Sequence, residues 1–552
     1  MGGGLLQIAA YGSENQYIMG NPEITFFKTV FRRHTNFAME NIQQYFDGKA
    51  ELSMTQESIF KLTIGRNADL IQNMYLCFSL PAITSDENLS FRWIKSIGTM
   101  CIKHIKLYIG GQLIDTLTGE YLEIYHQLTV GSEKRKLYNQ MIGNEIALYY
   151  PEGSPSEGGY PVSYFDDSDV SVSGDPGDYP GFLDITSNQT VCDLLGSSTE
   201  GDDDCLGTCS TISYGPNTVP SIFERHLYIP LPFWFCKTPG SSLPLIALQK
   251  HEVEIEVEFR PITDLYTIKE TDTSSFYFGK RVKPSSNRLD QSIQRFLSKE
   301  KDTSFLGWGF NPYVDINYIF LDKDEREVFA QKNHEYLIEQ VHKIEKKGLV
   351  GQHNLELNLF HPVKEIIWTP KRNDIAERNE WLNFTNKEYE ELNQWTNDPA
   401  NYIYTPTACQ VVTTRENYQN LRDEIITSAQ IQINNMDRIA ENPHEYFTLV
   451  QPYQHHKESG KAGVYLYSFS LEPDKAQPTG CCNMSRIKNV TLRIETRIPP
   501  SVSHVREPEL CTVISTNNND QLYLWEYDVD IYTINYNILK ISAGMGGLAF
   551  AN

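Results

Sequence analysis

Few residue constellations in this chain have the types and spacing for chemistry, and each is incomplete. Gly544-Met-Gly-Gly-Leu-Ala549 matches G-x-G-x-x-A, whose glycines let a backbone close around a pyrophosphate. That turn works only at the start of a helix, and the chain ends three residues after Ala549, so no dinucleotide site is expected. No G-x-x-x-x-G-K-[ST] phosphate loop occurs. His251, His334 and His444 each precede a glutamate, but none has the second histidine that a H-E-x-x-H zinc site requires. His455 and His456 are adjacent, so on a strand they would point to opposite sides and could not share a metal as a His-x-His pair does. Asp202-Asp-Asp204, with Cys205, Cys209 and nearby Cys192, is the one candidate ion site. It lacks the fifth-position Asn or Asp and the terminal Glu of an EF-hand. It reads as a solvated acidic tip, with a cysteine pair or an adventitious cation as the alternative. Cys481-Cys482 reads as a buried pair of small residues. Asn-x-Ser/Thr sequons begin at Asn88, Asn188, Asn383, Asn483 and Asn489. Catalytic, cofactor-binding and metal sites are all expected to be absent.

Composition narrows the class. A chain of 552 residues is too long for one core and fits two β domains. Tyr, Phe and Trp are abundant and long helical periodicity is scarce, which favours an all-β fold. A net charge of −23 argues against wrapping nucleic acid, because phosphate binding needs a basic face. No apolar run approaches the ~20 residues of a membrane span. The start, MGGGLLQIAAYG, lacks the basic region of a secretory signal, and Leu6 breaks a myristoylation motif at Gly2. Ten cysteines without a framework spacing fit assembly in a reducing compartment.

The elements repeat. Val314, Ile316, Tyr318 and Phe320 alternate as on a strand burying one face. A charged, helix-prone joint from Asp322 follows, and a second apolar run begins at Tyr336. Landmarks on either side match in order. Lys61-Leu-Thr-Ile64 corresponds to Asn354-Leu-Glu-Leu-Asn358, and Leu70, Ile71 and Tyr75 to Val363 and Ile366-Ile-Trp368. Gly110-Gly111 corresponds to Asn434-Asn435, residues that accept positive φ in a two-residue hairpin turn, and Glu120-Tyr121 to Glu445-Tyr446. Phe233-Trp-Phe235 and Tyr465-Leu-Tyr467 read as matching aromatic strands ahead of Pro239-Gly240 and Pro478-Thr-Gly480. Val253–Val257 matches Val490–Ile494, and each half closes on Val-Asp-Ile, at Val314 and Val529. Such order indicates a tandem duplication. The short joint, free of Gly and Pro, predicts two barrels packed rigidly through an apolar seam.

Gly20 to Gln43, with Ala10-Tyr-Gly12 before it, resembles the opening of the major capsid proteins of nucleocytoplasmic large DNA viruses, most nearly the chlorella-virus type. Leu231–Glu254, Tyr318–Gln340, Lys461–Phe469 and Ser542–Asn552 are similar to the same family, so the resemblance spans the chain. It implies two successive eight-stranded jelly rolls with long loop insertions, an architecture that recurs in viral shells. It also implies homotrimers that form hexagonal capsomers in an icosahedral shell, with neighbouring capsomers, minor capsid proteins and the internal viral membrane as partners. Nucleic acid would not be a direct partner, and assembly would take place in the host cytoplasm.

On that reading residues 1–23 form an amino-terminal inner-face segment and 24–322 the first jelly roll. Residues 323–334 form the joint, 335–541 the second jelly roll and 542–552 a tail. The departure from the chlorella-virus pattern is an acidic insertion, 151–224, with 14 Asp or Glu and no Lys or Arg. It is expected as a lobe on the outer tip of the first barrel. Lys28, Arg32 and Arg33 read as a solvated strand end or as an inner-face contact with an acidic partner or lipid headgroups. Since related capsid proteins carry glycans, Asn188 and Asn383 are the sequons expected to be modified. Two rival readings are a jelly-roll carbohydrate-binding module or lectin and a minor capsid paralogue of the same fold.

Overall fold

The computed structural model describes residues 3–48, 51–84, 89–149, 221–270, 281–297, 308–386, 424–498 and 525–550. Eight principal strands form the first half: β1 (Phe37–Tyr45), β2 (Ser58–Thr63), β3 (Leu70–Leu80), β4 (Ile102–Ile109), β5 (Gln112–Thr118), β6 (Arg225–Pro230), β7 (Val253–Phe259) and β8 (Tyr313–Leu321). They make two antiparallel sheets, in the orders β1-β8-β3-β6 and β2-β7-β4-β5. The second half has β9 (His334–Leu349), β10 (Gln352–Leu357), β11 (Pro362–Arg372), β12 (Ile426–Ile433), β13 (Met436–Pro443), β14 (Tyr465–Ser468), β15 (Val490–Thr496) and β16 (Tyr527–Ser542). Its sheets run β9-β16-β11-β14 and β10-β15-β12-β13. Adding eight to each strand number turns the first topology into the second. This is a double jelly roll, and the duplication read from the sequence is a duplication of structure.

Alternation sets which side of each strand is buried. In β7, Val253, Ile255, Val257 and Phe259 enter the core while Glu254, Glu256 and Glu258 face outward. Outside, Lys61 and Lys106 flank Glu256 at 3.0 Å each, a cross-strand arrangement fixed by register. The two hairpin turns adopt positive φ as their residues allow: 57° and 78° at Gly110 and Gly111, 50° and 62° at Asn434 and Asn435.

The aromatic landmark needs correction. Phe233-Trp-Phe235 is not a strand, because Trp234–Lys237 makes a short helical turn, and the sixth strand is β6 just before it. Pro232 has no N–H to give a ladder. Ser241 Oγ then donates to the Trp234 carbonyl at 2.9 Å and closes the turn.

Helices interrupt the β pattern where they serve the barrels. At the amino terminus α1 (Gly3–Ala9) and α2 (Asn15–Met19) carry no buried residue. After β5, α3 (Gly119–Thr129) starts on Thr118, whose Oγ1 accepts from Tyr121 N at 3.1 Å, and α4 (Ser132–Met141) follows. Gly119 is sterically required there, since a Cβ would lie 2.2 Å from Thr99 O and 2.3 Å from Ile102 O. The joint is α5 (Lys323–Gln331), capped by Asp322, whose carboxylate accepts from Lys323 N at 2.8 Å. Arg326 ties the joint to the first barrel through Asp69 Oδ2 at 2.9 Å.

Candidate functional site

The most elaborate chemistry among the described residues lies in the seam between the barrels. Two elements of the first barrel, the β4–β5 hairpin and α3, meet the outward face of the β9-β16-β11-β14 sheet. That sheet is therefore buried on both sides. Val529, Ile531, Ile366 and Trp368 belong to the second barrel's own core. Their alternates Tyr532, Ile534, Ile338 and Ile367 join the core of the first.

Charge is buried in the same seam. Glu120, on α3, accepts from the Tyr532 hydroxyl at 3.0 Å and lies 3.3 Å from Arg260 Nη2, 3.4 Å from Lys371 Nζ and 3.6 Å from Lys343 Nζ. Asp530 takes the same lysines, Lys371 at 2.5 Å and Lys343 at 3.2 Å. Burial alone would raise the Glu120 pKa, but Lys371, Lys343 and Arg260 outweigh it and hold the carboxyl below its ordinary range. Burial pushes Asp530 upward, and Glu120 beside it adds to that against the pull of Lys371. Lys371, though buried, is held above its normal value by the two carboxylates.

A second group extends the seam. Glu339 on β9 pairs with Lys237 and with Lys364, the latter at 2.6 Å. Against burial, the two lysines pull Glu339 down to about 2. Asp115 on β5 accepts from Val341 N at 3.1 Å, and burial lifts its carboxyl to about 7. Lys461 closes one end on Glu123 at 3.2 Å. The tail closes another, where Met545–Leu548 adds a strand to β16, and Lys250 N and His251 Nδ1 reach the carbonyls of Gly544 and Gly546. The glycine-rich tail is thus a clasp between barrels. The expected apolar seam is half right, since apolar packing encloses a paired ionic network.

Sequence reading missed these ionic residues. One signal was available: Val529-Asp-Ile-Tyr-Thr-Ile534 lacks the clean two-residue alternation of Val314–Phe320, as a strand buried on both faces should.

The residues singled out earlier scatter. Lys28, Arg32 and Arg33 lie on an arm, residues 3–36, that is exposed almost throughout, with Phe26, Phe27 and Phe31 among its uncovered side chains. Asn383 is buried, with its Nδ2 bound to Glu380 Oε2 at 2.8 Å and its Oδ1 accepting from Thr385 Oγ1 at 2.7 Å. That burial weighs against a glycan on the folded chain. Asn88, Asn188, Cys192, Cys205, Cys209 and nearly all of 151–224 lie outside the described residues. Cys482 is half-buried, but Cys481 is exposed, which corrects the buried-pair reading. His456 is buried between Glu365 and Asp474, with one ring nitrogen 3.0 Å from each carboxylate. No group of histidines, cysteines and carboxylates arranged to hold a metal occurs among the described residues, nor a helix long and apolar enough to cross a membrane. The tryptophans Trp93, Trp234, Trp308, Trp368 and Trp525 are buried and so are not available to a glycan-binding face.

Two like barrels joined by a buried seam of apolar and paired ionic residues define a structural protein of the double jelly-roll class. Comparison with known proteins gives the family. Residues 25–322 match the model of the major capsid protein N-terminus, and residues 325–547 that of the large eukaryotic DNA virus major capsid protein. The major capsid protein of Phaeocystis pouchetii virus is 30% identical, with both chains covered completely. That of Paramecium bursaria Chlorella virus 1 is also 30% identical over the whole of both chains. The crystal structure of PBCV-1 VP54, fitted into a reconstruction of the virophage Sputnik, superposes with a TM-score of 0.59 at 28% identity, covering 96% of this chain and 100% of that one. The chain belongs to the major capsid protein family of large eukaryotic DNA viruses, and its role is structural.

Proposed function

We propose that this chain forms homotrimers that serve as hexagonal capsomers, and that these tile an icosahedral shell assembled in the host cytoplasm. The observation that carries the reading is the repeated barrel locked by its seam. Three chains present six similar domains, so a threefold object fills a nearly hexagonal tile. A rigid seam keeps the two barrels of each chain in one relation, as a tile requires. Light scattering during size exclusion is expected to show a trimer, and a monodisperse monomer at micromolar concentration would overturn the proposal. The protein's share of virion mass separates the major capsid role from that of a minor paralogue.

The exposed arm supports an inner-face role, meeting minor capsid proteins or the internal membrane. Its uncovered Phe26, Phe27 and Phe31 beside Lys28, Arg32 and Arg33 suit a partner with apolar and acidic surface. Removing residues 2–19 should leave trimers intact and impair closed shells. Normal shells from the truncated chain would reject this role.

A further inference from the structure

The ionic group in the seam has the parts of a reaction as well as paired charges. Asp530 is on β16, which lies between β9 and β11 in its sheet. Register sets a lysine diagonally across from it on each side: Asp530 is opposite Thr369 and Glu345, Lys371 is opposite Asp528, and Lys343 is opposite Tyr532. Both lysines reach Glu120 of α3 on the covered face, and Lys371 Nζ lies 3.4 Å from each of its carboxylate oxygens. A buried amine, a buried carboxyl against it and a second carboxyl beside both are the groups that an amide-forming condensation needs.

Lys371, not Lys343, is placed to react. Its Nζ is 2.5 Å from Asp530 Oδ2, against 3.2 Å for Lys343, which also has Glu345 at 2.9 Å to hold its proton. A nitrogen that close to one carboxyl oxygen stands about 3–3.5 Å from the carboxyl carbon, a near-attack separation. Asp530 and Glu120 are 3% and 4% exposed, so little water competes there. Burial and the neighbouring Glu120 both push Asp530 toward its protonated form, the form an amine attacks. A hydrogen-bond donor is also spare: Thr369 Oγ1, on the residue opposite Asp530, is buried without a partner among the described residues.

We propose that Lys371 and Asp530 become joined by an amide bond within the folded chain, with Glu120 as the proton carrier. The Lys371 ammonium first gives a proton to the Asp530 carboxylate, leaving an amine and a carboxylic acid. Nζ then bonds to Cγ as the C=O π pair moves onto oxygen, with the Thr369 hydroxyl as the spare donor on that side. Glu120 takes the surplus proton from nitrogen and returns it to the hydroxyl of the former Asp530 carboxyl. That C–O bond breaks, the carbonyl reforms, and one water leaves. Lysine ammonium and aspartate carboxylate thus become amide and water, with no oxidant or activating group required. Glu120 ends as it began, ionised against Lys343 and Arg260.

The ion pair favours the charged lysine, which makes the neutral amine rare and the reaction slow without changing its product. The product replaces a buried ion pair, whose desolvation is costly, by a neutral amide. It also closes a loop spanning 159 positions between β11 and β16, which restricts the unfolded chain. A cut in the chain between those strands would leave them covalently joined, so the sheet shared by both barrels would hold together. The link forms within one chain and stands apart from the trimer reading.

Mass spectrometry of the purified full chain, denatured before measurement, is the test. The parent should become lighter by one water on ageing, and its protease digest should contain a branched peptide joining Lys371 to Asp530. Lys371→Arg keeps the ion pair but removes the amine, and should hold its full sequence mass. Glu120→Gln should slow the loss of water roughly a hundredfold, as removal of a proton carrier does. Linking at the parental rate in Glu120→Gln would overturn that role. A loss of water that persists in Lys371→Arg would come from another site and overturn the link. A parent that keeps its full mass after prolonged incubation, with no branched peptide, would overturn it as well. The peptide map needs no variant, so it decides the question even if Lys371→Arg fails to fold.

Discussion

At the scale of single residues, removing one partner of a buried charge is the change with the largest expected cost. His456 is the clearest titratable case. Burial lowers its pKa, but Glu365 and Asp474 more than compensate and raise it from 6.5 to about 9. A folded-state pKa above the unfolded one means the imidazolium stabilises the fold fully below about pH 6.5, and that this stability is lost as pH rises through about 9. The shift corresponds to about 3 kcal/mol. Thermal melts of the parent chain should therefore fall between those pH values more steeply than melts of His456→Gln, and identical profiles would show that the histidine is not coupled to folding. Lys371 carries the other residue-scale prediction. Lys371→Met strands Glu120 and Asp530 against Lys343 and Arg260 alone, and should cost roughly 3–5 kcal/mol in denaturant unfolding. A loss under 1 kcal/mol, the scale of an exposed pair, would mean the seam is hydrated in solution.

At the scale of elements, the joint does more than connect. Helix α5 is capped at Asp322, pinned by Arg326 to Asp69, and followed at once by β9, whose outward face is in the seam. A flexible Gly-Ser insertion after Glu327 breaks the helix but leaves both cores untouched. It should weaken trimers more than it lowers the melting temperature of either barrel, as measured by trimer dissociation on dilution. Unchanged dissociation would show that the seam alone fixes the geometry and the joint is passive. The strand pattern and both hairpin turns were legible in the sequence, because alternation and Gly-Gly or Asn-Asn act locally. Helix α3 was not, because its apolar residues face two barrels at once and leave no one-sided stripe to read.

At the scale of the molecule, charge is unevenly placed. Residues 151–224 contribute −14 of the net −23. In a lateral contact between acidic capsomers that charge would be weakly screened and repulsive, whereas on an outer surface it is solvated and discourages clumping. Replacing the stretch between Tyr150 and Arg225 with a short Gly-Ser turn should keep trimers and lattice contacts and shrink the outward protrusion in particle images. Loss of trimers would place the stretch at the subunit interface instead.

The sequence by itself determined the class, the duplication and the alternating strands, though not the turn at Phe233-Trp-Phe235, since two-residue alternation, turn residues and ordered repeats are properties of neighbours along the chain. It also pointed to the family, through blocks spread from Gly20 to Asn552. What faces what was decided only by tertiary structure. Glu120 and Lys371 are 251 positions apart, and nothing local marks either as a buried partner of the other. Asp315 and Asp530 occupy equivalent places in identical Val-Asp-Ile motifs, yet Asp530 is neutralised by two lysines and Asp315 is left without a partner for its Oδ1 among the described residues. Duplication made the barrels the same; docking one on the other gave their equivalent surfaces different environments.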